Sequence, residues 1–164
     1  MTTTTTTPTV LPAGEGEITG DQGRLDRYLV NSSESDGRLA LVEHTIAART
    51  LAAPLHRHSR EDEYSFVLAG TLGVIEDGIE ITASSGDLVF KSRGRWHTFW
   101  NAGDEELRIL EIISPGGIEA LFRLLAEPGG EYDPQTLPAL AARFGCDVDF
   151  EGTMPLVQRH GLIF

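Results

Sequence analysis

Apolar residues recur at two different spacings along the chain, and the spacing changes near residue 115. Before that point, short runs rich in Val, Ile, Leu and Phe are separated by turn-forming Gly, Asn, Asp and Ser, which is typical of strands in an antiparallel barrel or sandwich. No helical pattern separates these runs, so parallel pairing through crossovers is not expected. The predicted strands cover residues 24–31, 38–50, 64–69, 71–76, 79–83, 88–91, 97–100 and 107–114.

Beyond Pro115-Gly116-Gly117 the apolar residues recur at helical spacing. A first amphipathic helix is predicted between this turn and Pro128-Gly129-Gly130, because the proline and glycines stop the pattern. A second is predicted after Asp133-Pro134, which supplies an N-cap and a proline in the first helical turn, and a third short one over residues 153–160. The apolar positions that define the first two helices are Ile118, Leu121, Phe122, Leu124, Leu125, Leu137, Leu140, Ala141 and Phe144.

Length, charge and cysteine content narrow the class of protein. A chain of 164 residues is expected to fold as one domain. Thirteen basic and 25 acidic residues give a net charge of -12, which argues against binding to nucleic acid or to an anionic membrane. No apolar run reaches the ~20 residues that span a bilayer, and the first residues lack a secretion pattern, so we expect a cytoplasmic protein. The single cysteine, Cys146, excludes an internal disulfide, in agreement with a reducing compartment.

Metal-ligand residues are concentrated in two blocks of the β-rich region. His56 and His58 are two residues apart, so on a strand their rings leave the same face, and Glu63 follows after a bend. His97, in the second block, opens another strand-like run. Three imidazoles and a carboxylate form a mixed nitrogen and oxygen set that suits one divalent transition metal, whether Fe, Mn, Ni, Co or Zn. Four protein ligands on an octahedral ion leave two positions for water, dioxygen or a chelating substrate.

A metal site is favoured over two alternatives. Histidines satisfied only by hydrogen bonds would leave three imidazoles and a carboxylate buried without an ion, at a cost of several kcal/mol. A His-x-His pair also occurs in amidohydrolases, but that fold alternates helices with strands over about 250 residues, and this chain is too short. His44 and His160 lack ligand spacing and are expected to be packed or surface residues.

The two blocks resemble the paired motif of the cupins. The first reads His-x-His-x4-Glu-x6-Gly over residues 56–70, and the second Gly-x5-Ser-x-Gly-x2-His-x3-Asn over residues 86–101. Thr50 and Ser92 stand where the family usually has glycine and proline, and both are turn positions rather than ligands. The resemblance implies a mainly β fold, the double-stranded β-helix or jelly-roll barrel, to which the helical pattern beyond residue 115 adds C-terminal α-helices. It also selects Glu63 as the fourth ligand over Glu61 and Asp62, which are expected to face solvent.

The expected domain organisation has three parts. Residues 1–22, rich in Thr, Pro, Gly and Glu, are predicted to be a disordered arm because they offer almost nothing to bury. Residues 23–115 are predicted to form the cupin β-barrel. Residues 116–164 are predicted to form a helical extension packed on the barrel.

The resemblance also suggests a function. Quercetinase-like cupins are metal-dependent dioxygenases, and a similar role here would act on a small enol, diketone or flavonol-like molecule. Glu63 would then be both a ligand and a general base. The alternatives are a metal-dependent isomerase, cyclase or decarboxylase, or a non-catalytic module that binds a small molecule or metal. Cupin relatives commonly pair their barrels, so a homodimer is expected.

Large side chains near the motifs are candidates for a substrate pocket. Strand alternation places Phe99 and Asn101 on the side of His97, and we predict that Phe99 lines the pocket, whereas Asn101 either lines it or is a turn residue that supports the ligands. Trp96 and Trp100 face the other way and are predicted to be structural. The basic residues of the two blocks, Lys91 among them, are interpreted as solvated loop charges.

Overall fold

The computed structural model describes residues 9–128 and 132–164. In chain order, the described residues form strands β1 to β10, helices α1 and α2, strand β11 and helix α3. A 3-10 turn at Ser32–Glu34 follows β2. The elements are β1 (Glu17–Gly20), β2 (Arg24–Val30), β3 (Ala40–Ile46), β4 (Leu55–His58), β5 (Asp62–Ala69), β6 (Thr71–Glu76), β7 (Ile79–Ser84), β8 (Leu88–Lys91), β9 (His97–Asn101), β10 (Leu107–Ser114), α1 (Glu119–Ala126), α2 (Leu137–Ala142), β11 (Cys146–Asp149) and α3 (Phe150–His160).

The strands form two antiparallel sheets. One has the order β1-β2-β3-β10-β5-β8, and the other has the order β11-β4-β9-β6-β7. Strands distant in sequence therefore lie side by side, as in a jelly roll, and the predicted mainly β fold with C-terminal helices is confirmed. Inward-facing apolar side chains from both sheets form the main core: Ile46, Val67, Leu72, Val74, Val89, Phe99, Leu107 and Ile109 are among its members.

The three helices cover different parts of the barrel. Leu121 of α1 and Leu137 of α2 join a second buried cluster with Tyr28, Val42 and Ile113 from the six-stranded sheet. Leu156 of α3 packs with Trp100, Leu51 and Leu162 in a third cluster. The helices contain eight, six and eleven residues. In the part of the chain that the structure describes, no helix is long and apolar enough to cross a membrane.

Two short strands differ from the sequence-based expectations. Residues 17–20, inside the arm predicted to be disordered over residues 1–22, form β1 and pair with β2; residues 1–8 lie outside the described residues. The extension predicted over residues 116–164 is not purely helical, because Cys146–Asp149 form β11 and pair with β4. Such short runs carry little periodicity of their own, and their pairing depends on an open strand edge elsewhere in the fold.

The turn after β5 explains the glycine that ends the first motif. Gly70 has φ of +84°, a left-handed conformation that favours glycine. A Cβ at this position would lie 2.7 Å from the backbone oxygen of Glu106. The close approach lets β5 turn directly into β6 while packing on the start of β10.

Candidate metal centre

Three strands bring the four predicted ligands together. His56 and His58 occupy the alternate, buried positions of β4, whereas the neighbouring Arg57 is only partly buried. His97 begins β9 and is the direct cross-strand partner of His56. A bend after β4 leads into β5, whose second residue is Glu63. The spacing of the first motif therefore reflects one strand, one bend and the start of the next strand.

The four side chains converge inside the barrel. One ligand atom from each of His56, His58, Glu63 and His97 lies within 4.8 Å of all the others. The ring centroids of His56 and His97 are 4.4 Å apart, and those of His56 and His58 are 4.9 Å apart. All four residues are buried, at 8% exposure or less. The convergence expected from the sequence is present in the structure.

Hydrogen bonds orient two of the imidazoles. The Nδ1 atom of His56 lies 2.7 Å from the backbone oxygen of Pro54, and that of His97 lies 3.1 Å from the backbone oxygen of Arg95. A carbonyl can only accept, so each ring donates from Nδ1, and its Nε2 faces the cluster. Burial, together with the neighbouring imidazoles, holds the pKa of His56 well below its usual value, which keeps it in the neutral, ligating form.

His58 provides the test of whether a metal ion fits. Neither ring nitrogen of His58 forms a hydrogen bond to the described residues, although both are buried. Its Nε2 is 3.3 Å from Oε1 of Glu63, and its Nδ1 is 3.8 Å from Oε2 of Glu61. Burial would lower the pKa of His58, but Glu63 outweighs it and raises that pKa to about 10, and a metal among the four donors would take the place of the ring proton. The donor set and this lack of a hydrogen-bond partner for either ring nitrogen both fit a divalent transition metal.

A buried cation beside the cluster was not anticipated from the sequence. Lys91 is 1% exposed, so its interpretation as a solvated loop charge is wrong. Its Nζ lies 3.1 Å from Oε2 of Glu63 and 3.0 Å from Oε1 of Glu111. Burial alone would raise the pKa of Glu63, but Lys91 and His58 outweigh it and hold that pKa well below the ordinary value. The available signal was alternation, since Lys91 shares the inward face of β8 with Val89.

Three further residues near the cluster differ in how they match the sequence-based expectations. Phe99 lies inside the barrel with its ring centroid 4.3 Å from Nζ of Lys91. Asn101, for which both a pocket and a turn position were open, donates its amide protons to the backbone oxygens of Ile46 and Glu105. Asn101 thus holds the turn after β9. Strand alternation predicts the side of the strand on which a side chain lies, but not its hydrogen-bond partner. Glu61, expected to face solvent, is 4% exposed and lies against His58.

A cavity opens beside the cluster. It has a volume of about 50 Å³ and is lined by His56 and His58 and by apolar residues of α1 and α2. A larger adjoining cavity of about 410 Å³ shares four of its residues, Arg24, Phe122, Leu125 and Tyr132. The Arg24 guanidinium is held by Asp26 through two hydrogen bonds of 2.9 Å, and its Nη1 donates to Tyr132 Oη at 2.7 Å. His56 and His58 therefore face a small, mostly apolar space whose wall includes the Arg24 cation.

The fold and the cluster together define a jelly-roll barrel with a three-histidine, one-glutamate centre in its interior. Residues 42–113 match the Cupin_2 family model, which describes a cupin domain. Both motifs and all four predicted ligands fall inside this match. The family match and the jelly-roll fold support a single-domain member of the cupin superfamily.

Two curated relatives and one solved structure show what the chain is similar to. The Oxidoreductase iacF of Pestalotiopsis fici is 39% identical over 56 residues, 34% of this chain and 28% of the relative. The Tetracenomycin polyketide synthase protein TcmJ of Streptomyces glaucescens is 28% identical over 94 residues, 57% of this chain and 63% of the relative. The chain thus covers less than two thirds of each. The structure of KdgF from Halomonas sp. has a TM-score of 0.60 at 17% identity, covering 70% of this chain and 99% of that one.

Proposed function

We propose that this cupin is a metal-dependent dioxygenase that acts on a small chelating molecule of the enol, diketone or flavonol type. The observation that carries the proposal is the four-donor cluster with a cavity beside it. A metal held by these four residues would keep positions open for a chelating substrate, and two of the four, His56 and His58, line the cavity.

Each residue of the cluster has a task in this proposal. His56, His58, His97 and Glu63 hold one divalent transition metal, namely Fe, Mn, Ni, Co or Zn. When bound, such an ion polarises the oxygens of a chelating substrate and supports its reaction with dioxygen. Glu63 is also the general base: its carboxylate is buried and ionised, and after detaching from the metal it would take a proton from a substrate hydroxyl. The apolar cavity walls exclude water from the bound substrate.

The names of the two curated relatives support two candidate reactions on a small molecule, one redox and one redox-neutral. One relative is named as an oxidoreductase, which supports the redox form of the proposal. The other is named as a polyketide synthase protein, which favours a second candidate: a redox-neutral cyclase or isomerase in which the metal site stabilises an enolate. Both candidates use the same four ligands and the same base, and they differ in whether oxygen is consumed.

An oxygen-uptake assay separates these candidates. Protein purified without chelators is analysed for metal and then screened against flavonols, 1,3-diketones and other chelating enols in an oxygen electrode. We expect metal-dependent oxygen uptake that Glu63→Gln abolishes. Arg57→Gln, which changes a partly exposed residue of the same strand as His56 and His58, paired with Asp147, is the matched control and should retain activity. Substrate loss without oxygen uptake would favour the redox-neutral candidate, and tight binding without turnover would contradict both.

A further inference from the structure

A chain of buried polar contacts leads from the metal centre into the barrel wall. Glu63 on β5 and Lys91 on β8 are direct cross-strand partners, and Glu111 on β10 is the cross-strand partner of Ser65. Lys91 Nζ joins the two carboxylates, and Ser65 Oγ donates to Oε2 of Glu111 at 2.8 Å. Of these four residues, the proposed function uses only Glu63.

We propose that Lys91 is a positioning residue that retains one carboxylate oxygen of Glu63, so that Glu63 binds the metal through its other oxygen alone. The inference rests on metal binding at the cluster, as proposed above. Its consequence is that a second carboxylate oxygen does not fill a coordination position that a chelating substrate needs.

The geometry of the two oxygens supports this role. Oε1 of Glu63 faces Nε2 of His58 at 3.3 Å, on the side of the cluster. Oε2 is 3.1 Å from Nζ of Lys91, closer than the 3.3 Å that separates it from Nε2 of His97. A carboxylate that keeps a short ammonium contact on one oxygen has only the other oxygen fully available to a metal.

The ammonium group is itself held in place. Glu111 lies on one side of Nζ, and the ring of Phe99 lies 4.3 Å away on another. Lys91 has a fully buried side chain, so water does not screen these contacts. Lys91 thus contacts Glu63 from a position that neighbouring strands determine.

Substitutions that act on Lys91 in opposite directions test the inference. Lys91→Met alone would leave Glu111 buried without its cation, so the informative variant is the double substitution Lys91→Met with Glu111→Gln. It removes the ammonium and the charge that balances it. Glu111→Gln alone keeps Lys91 and leaves Glu63 as its sole anionic partner, so the hold on Glu63 becomes stronger.

The measurement is a Co²⁺ titration followed by visible absorption, with acetylacetone as a bidentate probe of the open positions. We expect the double variant to bind Co²⁺ about tenfold more tightly than wild type. We also expect its cobalt spectrum to change and its acetylacetone affinity to fall. Glu111→Gln should bind Co²⁺ more weakly. Circular dichroism and thermal melting establish whether each variant is folded. If the double variant does not fold, the cobalt affinity of Glu111→Gln alone tests the inference.

The outcomes separate the two proposals. Wild-type protein that does not bind Co²⁺ would contradict the metal centre itself. Wild-type protein that binds Co²⁺, with folded variants whose cobalt affinity, spectrum and acetylacetone binding match it, would leave the metal centre standing and overturn the role of Lys91. A change confined to the melting temperature would likewise reduce Lys91 to a structural ion pair.

Discussion

His56 on β4 and His97 on β9 are paired directly across two antiparallel strands, with their ring centroids 4.4 Å apart. This single cross-strand pair joins two motifs that are distant in the sequence. Both rings are oriented by a backbone oxygen two residues earlier in the chain. The candidate metal centre is therefore built on strand pairing, which favours a preorganised set of donors.

Loss of one imidazole should empty the centre without unfolding the barrel. We expect His58→Ala to reduce bound metal from about one ion per chain to a small fraction of that amount. Changes to groups that only support a ligand already cost typically 10–100-fold in metal affinity, and loss of a ligand itself should cost at least as much. The measurement is elemental analysis of protein purified without chelators. The matched control is His160→Gln, a histidine that pairs with Glu80 outside the cluster. Unchanged metal content in His58→Ala would contradict the ligand assignment.

A second buried ion pair should make stability depend on acidity. Asp26 lies 2.6 Å from Nδ1 of His44 and 2.9 Å from Nε of Arg24. Burial would raise the pKa of Asp26, but Arg24 and His44 outweigh it and lower that pKa below its ordinary 3.8. As the pH falls, the Asp26 carboxyl is protonated at a higher pH in the unfolded chain than in the folded protein. Its contribution is therefore complete above pH 3.8 and is lost as the pH falls through the folded-state pKa.

Asp26→Asn tests this dependence. We expect the substitution to lower the free energy of unfolding at neutral pH by roughly 3 kcal/mol, because it leaves Arg24 buried without its anion. Below pH 3.8 the difference from wild type should shrink. Urea unfolding at several pH values measures both effects. A difference that stays constant down to the lowest pH would show that the charge of Asp26 does not contribute.

Close packing of an indole on a strand glycine should make one position intolerant of a methyl group. A Cβ at Gly73 on β6 would overlap the ring of Trp100, which is 2% exposed and cannot move freely. We expect Gly73→Ala to lower the free energy of unfolding by about 1–3 kcal/mol. Gly103→Ala is the control, because a Cβ there would meet its nearest neighbours at ordinary contact distances of 3.5 Å or more. Equal melting temperatures for the two variants would refute the predicted overlap.

The homodimer expected from the family remains a prediction, and the outer face of β5 and β8 is its candidate surface. Phe66, Leu88 and Phe90 are exposed there, on or beside the edge strand β8. We expect light scattering to give twice the chain mass for wild type and a monomer for Phe66→Glu with Phe90→Glu. Ile79→Glu, which changes an exposed apolar residue of the other sheet, should leave the mass unchanged. A monomeric wild type would contradict the prediction.

Sequence patterns sufficed wherever the controlling contacts are local. The His-x-His spacing places His56 and His58 on one face because a strand repeats every two residues. The turn residue Gly70 follows from a backbone conformation that glycine favours. The helix over residues 119–126 follows from apolar side chains recurring along one face.

Tertiary structure decided the features that depend on residues distant in the chain. Lys91 and Glu111 are polar side chains that face the barrel interior, and only strand pairing shows that each neutralises the other. Asn101 could have faced a pocket or closed a turn until Ile46 and Glu105 supplied its partners. The strand β11 exists because β4 offers it a free edge. The chain itself specifies which faces are buried, whereas the assembled sheets determine what each buried polar group contacts, since those partners lie tens of residues apart.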